Sequence, residues 1–305
     1  MVVTTVGLSS PVYSQSQTGA AAENSDGDDP AYDESGIVAD RIRREREAGF
    51  DPRVIVAHKH NYFMPLSFTS QINNAAYQLD DVPLRDGLRR EEVKFQMSLK
   101  AQLNAEDLFF SNDGLYFGIT LAAWWQLYSD DLSSPFRETN YQPEMFYINP
   151  LGQSFFGANT SVGFGMEHQS NGQVQGLSRS WNRLYANFIL DYGGMVMNFR
   201  PWYRIPEKAK EDPTAAEGDD NPDIHLFMGY GDLTIGWQAG DFEMETQMHG
   251  NPKSGKGGIR FGVTYPLFAK FRGYIEYFNG YGESLIDYNH YQHRVGVGVA
   301  LTDLL

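Results

Sequence analysis

From Asn61 onward the apolar residues of this chain recur at every second position, in segment after segment, and that periodicity restricts the fold more than any other feature. Successive side chains of a β-strand point to opposite faces, so such a segment is a strand with one apolar and one polar face. Val93, Phe95, Met97 and Leu99 oppose Lys94, Gln96, Ser98 and Lys100, and Ile259, Phe261, Val263 and Tyr265 oppose Arg260, Gly262 and Thr264. Met195, Met197 and Phe199 oppose Asn198 and Arg200, and in the last segment Val295, Val297, Val299 and Leu301 oppose Gly296, Gly298 and Ala300. About twelve segments have this character. Nowhere does the chain reach the roughly 18 consecutive apolar residues that a membrane-spanning helix needs.

Bulk composition hides this pattern. A chain with 41% hydrophobic residues, mean hydropathy of -0.44 and formal charge of -15 resembles an ordinary soluble acidic protein. A membrane-spanning barrel, however, needs only about 9–11 tilted residues per strand with apolar side chains at alternate positions, so its mean hydropathy stays low. The 31 glycines, 18 tyrosines, 20 phenylalanines and 5 tryptophans agree, with aromatics gathering near segment ends as an interfacial girdle requires. The absence of cysteine removes disulfides, thiol nucleophiles and thiolate metal sites, and fits an oxidising compartment. No basic stripe is present, which argues against nucleic acid as a partner.

Residues 1–60 read as a flexible leader or residual signal segment: Ser, Gly, Ala, Asp and Glu dominate from Ser14 to Gly36, followed by the charge run from Arg41 to Arg46. Residues 61–305 read as the barrel. The stretches Pro150 to Gln153, Asp191 to Gly194 and Ala239 to Asp241 read as tight turns, whereas Glu207 to Asp223 and Gly280 to Tyr291 read as long loops. Short turns on one rim and long loops on the other are the mark of an outer-membrane barrel. The expected fold is therefore all-β: a twelve-stranded antiparallel transmembrane β-barrel with both termini periplasmic. Glu138, Asn140, Gln142, Glu144, Arg183, Arg200, Arg204, Arg260 and Glu276 fall on inward faces, too many charges for an apolar core but suited to a network filling a narrow lumen, so no wide pore is expected. His58, His60, His225, His249, His290 and His293 show no metal-ligand spacing and are expected at the surface or rim.

One stretch carries chemistry. His168 and Ser170 end an alternating segment whose apolar members are Val162, Phe164 and Met166, and Asn182, twelve positions beyond Ser170, begins the next, in phase with Leu184, Ala186 and Phe188. A nucleophile, a base and an orienting group thus occupy the apolar, lipid-facing side of two strands. In this arrangement Ser170 attacks an ester carbonyl, His168 takes the proton and returns it to the leaving alkoxide, and Asn182 fixes the imidazole tautomer. A neutral amide suits the place, since a carboxylate would put another charge against lipid.

Several stretches resemble the outer-membrane phospholipase A family of Gram-negative bacteria: Trp124 to Leu127, Ser133 to Tyr141, His168 to Tyr185, Arg200 to Tyr203, Asp220 to Ile224 and Gly280 to Val299, over residues from about 60 to the end. The resemblance implies calcium-dependent hydrolysis of phospholipid and lysophospholipid acyl esters at either glycerol position, in the outer membrane, by an enzyme activated on forming a homodimer. It further implies an oxyanion donor at the Gly172 N–H and calcium (Ca2+) held by the Gln173 carbonyl, the Ser178 hydroxyl and the Ser133 hydroxyl of the second subunit. The chain departs from the family pattern at Gln173 and Gln175, where the family has an arginine and an acidic residue, and at Leu121, where it has an interface glutamine. The alternative is a non-enzymatic barrel, a channel or structural protein; a soluble serine esterase would need a Gly-x-Ser-x-Gly elbow and strand–helix alternation, both missing here.

Overall fold

The computed structural model describes residues 55–77, 88–130, 133–212, 215 and 217–301; most of the expected leader lies outside them. The strands are β1 (Val56–Ala57), β2 (Tyr62–Thr69), β3 (Glu91–Gln102), β4 (Gly114–Trp125), β5 (Phe136–Phe155), β6 (Ala158–Ser170) and β7 (Ser180–Asp191). They continue with β8 (Met195–Arg204), β9 (Gly231–Ala239), β10 (Phe242–Asn251), β11 (Lys256–Phe268), β12 (Phe271–Gly280) and β13 (Gln292–Ala300). One turn of helix, α1 (His225–Met228), lies in the β8–β9 connection.

Each of β2 to β13 pairs antiparallel with its neighbour in sequence, and β13 pairs back onto β2, closing a twelve-stranded barrel. Closure leaves no edge with unpaired backbone groups, which hydrocarbon does not tolerate. β1 continues the line of β2 along β3, pairing Val56 with Lys100 and Ala57 with Leu99, after which the chain breaks for four residues and resumes pairing at Tyr62 opposite Gln96. At the seam β2 bulges between Met64 and Ser67. Its backbone comes so close to β13 that a Cβ on Gly298 would stand 2.1 Å from the Phe63 carbonyl oxygen. Only glycine fits there.

The inside-out burial expected of a lipid-spanning barrel is observed. Phe164, Met166, Ile275, Val295 and Val297 are each at least half exposed, while Glu92, Lys94, Arg137 and Arg294 are at most 2% exposed. The inward charges pair. Arg294 meets Glu92 at 2.7 Å and Glu283 at 2.8 Å; Arg137 meets Glu92 at 2.6 Å and Asp287 at 3.0 Å; Lys94 meets Glu276 at 2.5 Å and Glu283 at 3.1 Å. Much of this network is closed by the β12–β13 connection, which folds inward and is anchored where Leu285 N donates to Asn140 Oδ1 at 2.9 Å and Ile286 N to Glu138 Oε1 at 3.1 Å. Aromatic side chains, among them Tyr116, Phe146, Trp181, Trp202 and Phe227, fill the remainder. The cavity left among them is about 130 Å³, room for a few waters rather than a channel.

Three expectations from the sequence need correction. Pro150 to Gln153 is not a turn but part of β5, and the reversal comes at Phe156 and Gly157, both at positive φ. The division into short and long rims has exceptions, since residues 103–113 connect β3 to β4 on the tight side and residues 252–255 form a short turn on the other. His58, His60 and His249 point into the lumen, because they share the two-residue phase of inward neighbours. His58 Nε2 lies 3.0 Å from Glu144 Oε1, His60 stands edge-on to Tyr274 with ring centroids 4.6 Å apart, and His249 Nε2 lies 3.0 Å from the Tyr281 carbonyl oxygen.

Burial by itself would raise the carboxyl pKa of Glu283 and Asp287 in the inward-folded connection; the guanidinium groups of Arg294 beside Glu283 and Arg137 beside Asp287 instead hold both below the usual range. A carboxylate depressed in the folded state contributes stability above its unfolded pKa and loses it as pH falls toward the folded value. Urea unfolding followed by tryptophan fluorescence is therefore expected to show stability falling as pH drops below about 4. Arg294→Ala, which strands two buried carboxylates, is expected to cost about 3–5 kcal/mol at neutral pH in the same assay.

Candidate active site

β6 and β7 pair without a bulge from Asn159 opposite Asp191 to Ser170 opposite Ser180, and this register sets His168 directly across from Asn182. Directly opposed residues of an antiparallel pair have Cβ atoms about 4.5–5.5 Å apart, close enough for side chains to bond. His168 Nδ1 lies 2.9 Å from Asn182 Oδ1. Ser170 stands two residues along the same face from His168, opposite Ser180 on one side and Tyr141 of β5 on the other. With Nδ1 occupied by the amide, the imidazole has Nε2 left to serve as a base. His168 is exposed on the outer face with Phe164 and Met166, while Ser170 and Asn182 are half-buried.

The loop after Ser170 is built around Asn171, which is 2% exposed and which sequence reasoning did not single out. Its Oδ1 accepts from Arg179 N at 2.9 Å and Gln173 N at 3.3 Å, and its Nδ2 donates to the Leu177 carbonyl at 2.8 Å and to Glu138 Oε2 at 3.3 Å. Alternation turns Asn171 inward where Ser170 faces out, so one residue ties the loop to the lumen network and the next presents a hydroxyl at the rim. An Asn before Gly is a turn signal and was the available clue. Gly172 has φ +63°. A side chain there would be strained and would crowd the Tyr141 ring, 3.3 Å from an ideal Cβ.

Ser178 Oγ donates to Asp220 Oδ2 at 2.8 Å, and Asp220 Oδ1 also meets Lys210 Nζ at 2.5 Å. A cavity of about 370 Å³ adjoins this group, bordered by Ser178, Asp212, Asp219 and Asp220. Its hydroxyl and carboxylate oxygens are of the kind a hard cation such as calcium takes, while Arg179 and Lys210 share the same lining. No group of three or more His, Cys, Asp or Glu arranged to hold a metal occurs among the described residues. Ser133, at φ +55°, belongs to a different loop, the β4–β5 connection. Two further residues escaped the sequence reading: Asp220, bonded to Ser178, and Glu207, whose Oε1 accepts from Asn182 Nδ2 at 3.0 Å. Both come from the β8–β9 connection, and nothing in local spacing links that connection to β7.

The profile of the phospholipase A1 family matches residues 38–301. The chain is a member of that family. It is 38% identical to phospholipase A1 of Klebsiella pneumoniae over 255 residues, covering 83% of this chain and 84% of the relative. Among solved structures, an active-site asparagine-to-alanine mutant of Escherichia coli outer membrane phospholipase A superposes with a TM-score of 0.78 at 36% identity, covering 90% of this chain and all of that one. The Salmonella typhi outer membrane phospholipase, a dimer with bound calcium, gives 0.77 at 36% identity over 89% of this chain and 99% of that chain. This family membership, with the closed barrel, makes the protein an outer-membrane phospholipase. In this phospholipase Asn171→Ala is expected to cost about 1–3 kcal/mol locally, from donors and acceptors left unpaired. Amide hydrogen exchange should then speed up at Gln173 and Arg179 while the barrel strands stay protected.

Proposed function

We propose that Ser170, His168 and Asn182 hydrolyse acyl esters of phospholipids and lysophospholipids at the outer rim of the barrel, in a homodimer that uses calcium. The observation that carries this reading is the 2.9 Å contact between His168 Nδ1 and Asn182 Oδ1, made on the lipid-facing side with Ser170 on the same strand face. Ser170 Oγ attacks the ester carbonyl and passes its proton to His168 Nε2. The imidazolium, held by the Asn182 amide oxygen, returns that proton to the departing alkoxide; water then repeats the sequence on the acyl-enzyme. Among the solved relatives, an asparagine belongs to the active site of the E. coli enzyme and calcium accompanies the Salmonella dimer. Both support the parallel assignment here.

The Gly172 N–H, at the turn after the nucleophile, serves as oxyanion donor. The Gln173 carbonyl and Ser178 hydroxyl, with Ser133 of the partner subunit, would hold calcium. Bound there, calcium supplies positive charge that stabilises the developing oxyanion. Beside it, Asp220 accepts from the Ser178 hydroxyl and pairs with Lys210. The first and last barrel strands begin and end at the same rim, with Leu301 N donating to the Asn61 carbonyl at 2.9 Å. With the site at the opposite, outer rim, both termini are periplasmic.

The test is fatty-acid release from phosphatidylcholine mixed micelles by refolded protein, with calcium or chelator, alongside crosslinking. Calcium-dependent release lost in Ser170→Ala, with crosslinked dimer appearing under the active conditions, is the expected outcome. No release from folded, dimeric wild type would instead support a passive barrel. Gly172→Ala is expected to lower kcat by about 100- to 1,000-fold through the displaced donor.

A further inference from the structure

Asn182 is held from both ends: Oδ1 by His168 and Nδ2 by Glu207. The second contact matters because an amide is nearly symmetric in shape, and rotation by 180° about χ2 exchanges its acceptor for its donor. With the acceptor toward His168, the ring proton sits on Nδ1 and Nε2 is bare. With the donor toward it, the proton sits on Nε2, the atom that must take the proton of Ser170. His168 alone accepts either arrangement. A carboxylate offers only acceptors, so Glu207 admits one of them, Nδ2 toward itself and Oδ1 toward the imidazole. We propose that Glu207 is a positioning residue for the hydrolytic reaction, fixing the amide of Asn182 so that His168 is kept in the tautomer that acts as a base; this rests on the assignment of Ser170, His168 and Asn182 made above.

The segment bearing Glu207 is built for that placement. Ile205 N donates to the Asn182 carbonyl at 2.8 Å, carrying the β7–β8 ladder one step beyond the Arg183–Arg204 pair. Pro206 has no N–H and ends the ladder, and its ring fixes φ for the turn. On the far side the Lys208 carbonyl accepts from Asp219 N at 2.7 Å, Ala209 bridges Asp219, and the Arg204 guanidinium bonds the same aspartate. Glu207 therefore lies between two backbone anchors three residues apart and is itself half-buried. Its negative charge, one amide beyond the imidazole, also compensates for the weaker hold that a neutral asparagine has on an imidazolium.

The experiment uses the full chain, refolded, at saturating calcium, with phosphatidylcholine in mixed micelles and folding verified by heat-modifiable electrophoretic mobility. Glu207→Ala is expected to lower kcat by about 10- to 100-fold, the range for partners that orient a reacting ligand, with KM changed by less than about two-fold, as for an interaction that acts in the transition state. Glu207→Gln, which can still accept from Nδ2 but can also donate to a flipped amide and carries no charge, is expected to restore only part of the activity. In an Asn182→Ala background Glu207→Ala is expected to change nothing further, because the group it orients is gone. Should Glu207→Ala not fold, Glu207→Asp, one methylene shorter, reads the same contact.

An unchanged kcat, the same fold-loss in the Asn182→Ala background, or recovery on raising calcium tenfold would each overturn the proposal, the last by routing the effect through the Ser178–Asp220 group. If Ser170→Ala or Asn182→Ala retains wild-type activity, the triad assignment itself falls and takes this role with it. Loss in both of those variants with none in Glu207→Ala removes the positioning role alone.

Discussion

No water reaches the hydrocarbon core of a bilayer, so every backbone N–H and C=O that crosses it must be satisfied within the protein. Twelve strands paired in sequence and closed from β13 onto β2 meet that demand. The rest of the architecture follows from it. Once the backbone is self-satisfied, side-chain polarity sorts by alternation alone: outward positions take Phe, Leu, Ile and Val, and inward positions take whatever a narrow lumen can neutralise. The lumen cannot hold bulk water, so its charges must find each other. Arg294 and Arg137 do so by sharing Glu92, while Lys94 and Arg294 share Glu283 from the β12–β13 connection. The connection is thus a structural part of the barrel interior rather than an external loop.

The same alternation explains where the chemistry sits. A soluble hydrolase hides its nucleophile in a cleft; here the substrate is the solvent, and the lipid-facing side of β6 and β7 is already in contact with it. Under the proposed assignment, His168, Ser170 and Asn182 on that side limit the orienting group to a neutral amide, because an ionised carboxylate against acyl chains is costly. A carboxylate stands one hydrogen bond beyond Asn182, at Glu207 in the β8–β9 connection. On that reading the rim combines contact with lipid and an imidazole oriented through Asn182.

Rigidity reaches the site from inside. Asn171 joins the loop after Ser170 to Glu138, and Glu138 in turn receives the Ile286 N–H of the inward-folded connection. The lumen network and the outward hydroxyl are therefore neighbours in sequence and mechanically continuous, although they face opposite media.

Strand character, the inward and outward faces and the common face of His168, Ser170 and Asn182 were legible in the sequence, because a period of two fixes which side chains share a face and needs no knowledge of distant parts of the chain. The misread turn at Pro150 shows the limit of local signals: a proline and a glycine inside β5 are accommodated by an irregular register between Pro150 and Ser154. The inward placement of His58 and His60 was hidden by the interruption after β1, across which the strand phase persists. Glu207, Asp220 and the seating of Asn140 and Glu138 beneath residues 285 and 286 were decided by tertiary structure alone. Each depends on long connections folding back over or into the barrel, and where a connection lands is set by charges and backbone donors contributed by strands far away in sequence.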